Sequence, residues 1–286
     1  MLFVIGCAPP NTRPFGPFNL FERIHGLAEI VGRGAVVFVG LQGATSSSMI
    51  RRSSVLSRPE TDQVRLLAMT QLGNGLFEAD RYEDAAPVRE AELAMKLRLG
   101  ADEAKMLVVQ GNLASTYGAL GRHEETLRMR REVYIKTVKI YGKSHGDTFL
   151  EAYNYAVSLL NQQPEHFAEA KALLRKTIPA ARRVLGENTE LALRLRKVYA
   201  TALYDDNGAT LEDLREAVAT FEEIERVARR VYGGAHPLAV GVEYNVREAR
   251  AALRARETKE AFRTARVKLA QERAELAQLG PSRDAT

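Results

Sequence analysis

The stretch VYGGAHPLAVGVEYNVREARAAL, residues 231–253, closes one apolar run with glycines and opens the next with His236-Pro237. Related stretches stand upstream: RLGADEAKMLVVQGNLA, IYGKSHGDTFLEAYNYA and VLGENTELALRLRKVYA, anchored on Gly100, Gly142 and Gly186. With Gly233, these anchors lie 42, 44 and 47 residues apart, a period that marks a stacked array of supersecondary units. Glycine ends a helix readily because it tolerates positive φ without a Cβ clash. Pro237 suits a first helical turn, where its missing N–H is not needed. Each anchor therefore reads as a stop and then a start.

Between anchors, the runs break into helix pairs. In MLVVQGNLASTYGALGRHEETLRMRREVYIKTVKIYG, apolar residues keep helical spacing to Leu120 and Gly121 interrupts them. A second run then places Leu127, Tyr134, Val138 and Tyr141 on one face. The same plan fits 61–100 around ADRYEDA, 143–186 around NQQPEH and 187–233 around YDDNGAT. It also fits 234–280, with RARETKEA as the expected break and Leu279-Gly280-Pro281 as the stop. The fold expected is all-α: a right-handed superhelical solenoid of about five helix-turn-helix repeats over residues 61–280, with a tail at 281–286.

Residues 1–60 differ in composition. They hold seven of the 21 Gly and five of the ten Pro, together with the Ser-rich run ATSSSMIRRSSVLS. A poorly ordered segment is expected there, with the apolar run 27–41 as a small hairpin or docked piece. This segment carries six Arg and three Glu, so the formal charge of +5 belongs largely to it and the array is almost neutral. Met49 is a candidate alternative start, which leaves open whether residues 1–48 belong to the mature protein. Cys7 is the only cysteine, which rules out an intramolecular disulfide framework and agrees with a cytoplasmic location. An Arg- and Ser-containing, acid-poor N-terminus also fits organelle targeting, the alternative location. No apolar run approaches the roughly 20 residues that span a bilayer.

The segment GNLASTYGALGRHEET, the LG or YG closing each pair, the HP after it, and DRYEDAAPVREAELAMKLRLG resemble the roughly 42-residue tetratricopeptide repeats of the kinesin light chain type. The resemblance implies a non-enzymatic protein-interaction scaffold or adaptor, binding an extended peptide or a partner helix in a concave groove lined by the first helices. It implies no cofactor. Kinesin light chains carry a long heptad coiled coil ahead of their repeats, and residues 1–60 contain nothing like it. The alternative readings are an RNA-associated helical array and a regulatory repeat fragment of a larger enzyme or motor complex.

The residues themselves offer no catalytic constellation. His25, His123, His145, His166 and His236 form no close metal-ligand pair, and His145 and His236 each stand three residues after an anchor glycine, as helix-start residues would. The basic positions Arg247, Arg250, Arg254, Lys259, Arg263 and Arg266 are interleaved with glutamates, which favours the solvated face of a terminal cap over an acidic partner or nucleic acid. RRSSVL matches a basic-directed kinase consensus, with Ser54 as acceptor. Twelve residues after the anchors come Asn112, Asn154, Val198 and Asn245, and Gln71 occupies the equivalent place in the first pair. The resemblance makes these carboxamides groove residues that grip a ligand's main chain, since Asn offers both a donor and an acceptor. Lys105, Asp147 and Glu151 flank them, with Arg194 and Lys197 in the third pair. This mixed charge selects neither an acidic nor a basic ligand, and the oligomeric state stays unassigned.

Limited proteolysis should remove roughly the first 60 residues and leave a helical core, because Gly, Pro and Ser keep that segment from closing a core of its own. Equal protection of residues 1–60 and of the array would contradict this.

Overall fold

The computed structural model of the chain describes Pro59, residues 63–162 and residues 165–278. Cys7, His25, the run 27–41, Met49, Ser54 and the tail at 281–286 lie outside the described residues. The described residues form nine α-helices and no strand. They are α1 Gln63–Glu78, α2 Tyr82–Arg98, α3 Glu103–Ala119, α4 His123–Tyr141, α5 Gly146–Leu160, α6 Phe167–Leu185, α7 Glu190–Tyr204, α8 Leu211–Tyr232 and α9 Pro237–Gln278. The chain divides into two compact units after Gly186. The first contains the hairpins α1–α2, α3–α4 and α5–α6. The second contains the hairpin α7–α8 and the long helix α9. The architecture is an all-α, TPR-like repeat fold.

Two kinds of glycine stop build these hairpins. Gly100 and Gly121 adopt φ of +63° and +74°. Around Gly121, the N–H of Arg122 reaches back to the carbonyl of Tyr117 at 2.9 Å, which satisfies an end-of-helix acceptor. Gly142, Gly186 and Gly233 take φ of +83°, +98° and +88° with ψ of 170°, 147° and 157°. That conformation is extended with positive φ, a region almost confined to glycine, rather than the left-handed helical one. It swings the chain out of one hairpin and straight into the next helix.

Residues just beyond the glycine then cap the next helix. His145 Nδ1 accepts the N–H of Asp147, and His236 Nδ1 accepts that of Leu238, both at 3.2 Å. Each imidazole also stacks on a tyrosine of the preceding helix: Tyr141 on His145 at 4.7 Å and Tyr232 on His236 at 4.9 Å. The histidines are thus helix-start residues. Asp102 caps α3 through the N–H of Lys105 at 2.8 Å, and Thr210 with Asp213 forms a capping box on α8.

From the second hairpin onward, the first helices are the more buried members of their pairs. In the first unit, Leu107, Val109, Leu113, Phe149 and Leu159 of the first helices and Val133 and Leu174 of the second are buried. In the second unit, Leu193, Leu195 and Leu203 of α7, Phe221 and Ile224 of α8 and Val242 of α9 are buried.

One expectation fails. RARETKEA does not break a helix pair, and α9 runs uninterrupted through it to Gln278. The reason is chemical: between Gly241 and Gly280 there is neither glycine nor proline, and Ala, Arg, Glu and Lys are strong helix formers. Charge alternation resembles a turn but supplies no stop signal.

A matched pair of substitutions isolates the backbone term. An added Cβ would meet nothing within 4 Å at either Gly142 or the helical Gly75. Gly142→Ala should therefore destabilise by about 1–3 kcal/mol, whereas Gly75→Ala should stabilise by about 0.5–1 kcal/mol. Chemical denaturation of the two variants checks this, and equal effects would contradict it.

Candidate functional site

The sequence places its carboxamide column on the first helices, and the structure divides that column. Gln71 on α1 is exposed. Asn112 on α3, Asn154 on α5 and Asn245 on α9 are 9%, 2% and 8% exposed. Val198, at the same place on α7, is also buried. On α5 the partly open positions Asp147, Leu150, Glu151, Val157 and Asn161 recur at helical spacing, and Asn154 sits within that stripe at its most covered point. Its side-chain N–H donates to Glu151 at a long 3.4 Å, while its Oδ1 has no hydrogen-bond partner.

Beside Asn154 lies a charged centre that sequence reasoning missed. Arg130 of α4 is 4% exposed. One of its nitrogens donates to Ser115 Oγ of α3 at 2.5 Å, and the other meets Glu151 Oε2 of α5 at 3.4 Å. Gly111 flanks the pair, where a Cβ would stand in ordinary contact at 3.5 Å from Arg130 Nη1 and 3.8 Å from Glu151 Oε1. Burial raises the pKa of Glu151 above the usual carboxylate range, against the pull of Arg130. Ser115, Arg130, Asn154, Ser158 and Asn161 contribute to the lining of a small, mostly apolar cavity, and the Oδ1 atoms of both asparagines are unpaired.

Arg89 of α2 repeats the design one hairpin earlier. Its guanidinium donates to the carbonyl of Asn112, to Thr116 Oγ1 and to Asn74 Oδ1, and lies 4.8 Å from the centre of the Phe77 ring. Burial lowers its pKa to about 10. Gly73 is the small residue that admits it, with a would-be Cβ 3.0 Å from Arg89 Cγ. The equivalent positions in later hairpins are Leu174 and Phe221, both fully buried. The signal that finds these arginines is register: they fall on an apolar core column at the repeat spacing.

In the second unit, Arg194 of α7 pairs with Glu190 at 2.6 Å, and Arg196 is buried against Glu223. Lys197 stands one turn beyond Arg194 on the same face. Burial, and secondarily the charge of Arg194, lower its pKa to about 8. On α9, Arg247 lies 5.9 Å from the Tyr244 ring. Among the described residues no cluster of His, Cys, Asp and Glu is arranged to hold a metal, and no helix is long and apolar enough to cross a membrane.

The sequence profile of the tetratricopeptide repeat matches residues 107–147, that is α3, α4 and the glycine stop beyond them. Residues 107–147 are thus similar to a tetratricopeptide repeat, and the fold of the described residues is TPR-like. Solved structures agree on the fold of these TPR-like repeats. A candidate kinesin light chain from Podosopora anserina, with nearly identical TPR-like repeats, is 20% identical over 79% of this chain and all of that one, with a TM-score of 0.54. A variant of it is 18% identical over 73% and 97% of the two chains, with a TM-score of 0.56. BtubC (BKLC) from P. vanneervenii is 15% identical over 84% and 93%, with a TM-score of 0.57. No curated protein matches by sequence. TPR folds are general protein–protein interaction modules and typically non-catalytic.

The lowered pKa of Lys197 has a definite sign. Between about 8 and the usual value of 10.5, the unfolded chain binds the proton that the folded chain has released, so native stability rises with pH there. Lys197→Met should raise the melting temperature at pH 7 by a few degrees, and the gain should shrink as pH climbs through that window. A gain independent of pH would contradict the assignment.

Proposed function

We propose that this protein is a non-enzymatic interaction scaffold or adaptor whose first helices present a polar stripe to an extended peptide or a partner helix. Asn112 and Asn154 are the groups that grip the ligand's main chain in the first unit, and Arg194, Lys197 and Asn245 supply polar contacts in the second. Gln71, exposed on α1, extends the same column. The observation that carries the reading is Asn154. A buried acceptor without a partner costs about 1–3 kcal/mol, and Asn154 Oδ1, buried at the most covered point of the α5 stripe, has none. A ligand N–H arriving there gains a hydrogen bond that the fold itself does not use. The neighbouring Arg130–Glu151 pair fixes the floor of the stripe, so the carboxamide is held in place before the ligand arrives. Ser54 stays a phosphorylation proposal on sequence grounds alone.

Replacing both Asn112 and Asn154 with Ala separates a ligand role from a structural one. Affinity capture from a lysate, quantified by mass spectrometry, should lose partners by roughly one to two orders of magnitude, from about 0.5–1.5 kcal/mol per hydrogen bond. The melting temperature should fall by only a few degrees, the cost of the long Asn154–Glu151 hydrogen bond. Unchanged capture with a lowered melting temperature would make the asparagines structural and overturn the proposal.

A further inference from the structure

The far half of α9 is exposed along its whole length. Every residue from Glu257 to Glu275 is exposed, about 28 Å of helix at 1.5 Å per residue. Helices in proteins draw most of their stability from a packed face, and no residue of this stretch is buried, its first residue Glu257 pairing with Arg215 of α8 at 3.0 Å. Its own i,i+4 ion pairs, Arg256–Glu260 at 3.7 Å and Lys268–Glu272 at 3.9 Å, are exposed and contribute little. Yet it carries a seam. Phe262, 74% exposed, is succeeded at three and seven residues by Ala265 and by the half-exposed Leu269, the a-d-a spacing of a helix–helix interface.

Charge decides what covers the seam. In that register the flanking e and g positions carry Lys259, Arg266, Lys268 and Arg273 with Glu275 as their one acid, while Glu260 lies at f and Glu272 closes the seam at d. A second copy pairing in parallel would set Lys268 against Arg273. An antiparallel copy would set Lys259 against Arg273 and Arg266 against itself. Both arrangements are repulsive. A membrane surface calls for a broader apolar face than this narrow seam. We propose that residues 257–275 of α9 are a docking rod for an acidic amphipathic helix of another protein, with Phe262 and Leu269 as apolar anchors and Lys259, Arg266, Lys268 and Arg273 as the charge filter. This surface is separate from the asparagine stripe, and the proposal stands whether or not that stripe binds peptide.

The test uses the full chain and two fluorescent synthetic amphipathic peptides of three heptads, with Leu at a and d. One carries Glu at every e and g position and the other Lys, each kept below its own self-association range. The Glu peptide should bind by anisotropy, weakening with added salt, and should outbind the Lys peptide at least tenfold. The double variant Phe262→Gln/Leu269→Gln should lose at least tenfold, with the far-ultraviolet circular dichroism unchanged. The triple variant Lys259→Glu/Arg266→Glu/Arg273→Glu should reverse the preference toward the Lys peptide. Equal binding of the two peptides, or binding indifferent to these variants, would overturn the proposal. So would seam-dependent dimerisation in light scattering, or seam-dependent binding to phosphatidylserine vesicles, without capture of the Glu peptide.

Discussion

Within the first unit, the packing of hairpin on hairpin turns on one buried ion pair. Arg130 leaves the second helix of its hairpin, passes Ser115 on the first, and meets Glu151 on the first helix of the next. Removing two charges from water costs several kcal/mol per ion, and their attraction offsets this only when the remaining polar atoms are also satisfied. Here Ser115 and Asn154 help to do that. The pair acts less as glue than as a register pin, because a shifted hairpin would leave a buried charge alone.

The two units solve the same packing problem differently. Along one core column the first unit places Arg89, Arg130 and Leu174, whereas the second places Phe221. Charge at this column demands partners from neighbouring helices and so draws Asn74, Thr116 and Ser115 into the interior. The apolar column demands only shape, and Phe221 packs edge-on against Tyr204 at 5.9 Å. Polar residues on the first helices of the early hairpins therefore serve two purposes at once. Some satisfy the buried arginines, and Asn154 Oδ1, left over, faces a cavity.

Much of this is legible in the sequence, for reasons that differ by residue. The glycine anchors are readable because positive φ is nearly exclusive to glycine, although the extended rather than helical conformation of Gly142, Gly186 and Gly233 is not. His145 and His236 are readable by position, while their stacking on Tyr141 and Tyr232 emerges only in three dimensions. The continuity of α9 is easily misjudged because a cluster of charges mimics a turn without the glycine or proline that a turn needs. Arg89 and Arg130 read as solvated by residue type alone, and only their register with the buried column of Leu174 and Phe221 marks them as interior. The asparagine column is visible as a pattern, but its burial is not, since that depends on which arginine and glutamate lie across from it.

The most direct measurement is a double-mutant cycle on Arg130 and Glu151, with Arg130→Ala, Glu151→Ala and the combined variant compared by chemical denaturation. If the pair pins one hairpin to the next, each single change should cost about 3–5 kcal/mol by leaving the other charge buried alone. The combined change should then cost well under the sum of the two, with an interaction energy of roughly 1–3 kcal/mol. Effects that add to within about 0.5 kcal/mol would show two independent side chains and contradict the register-pin role of the pair.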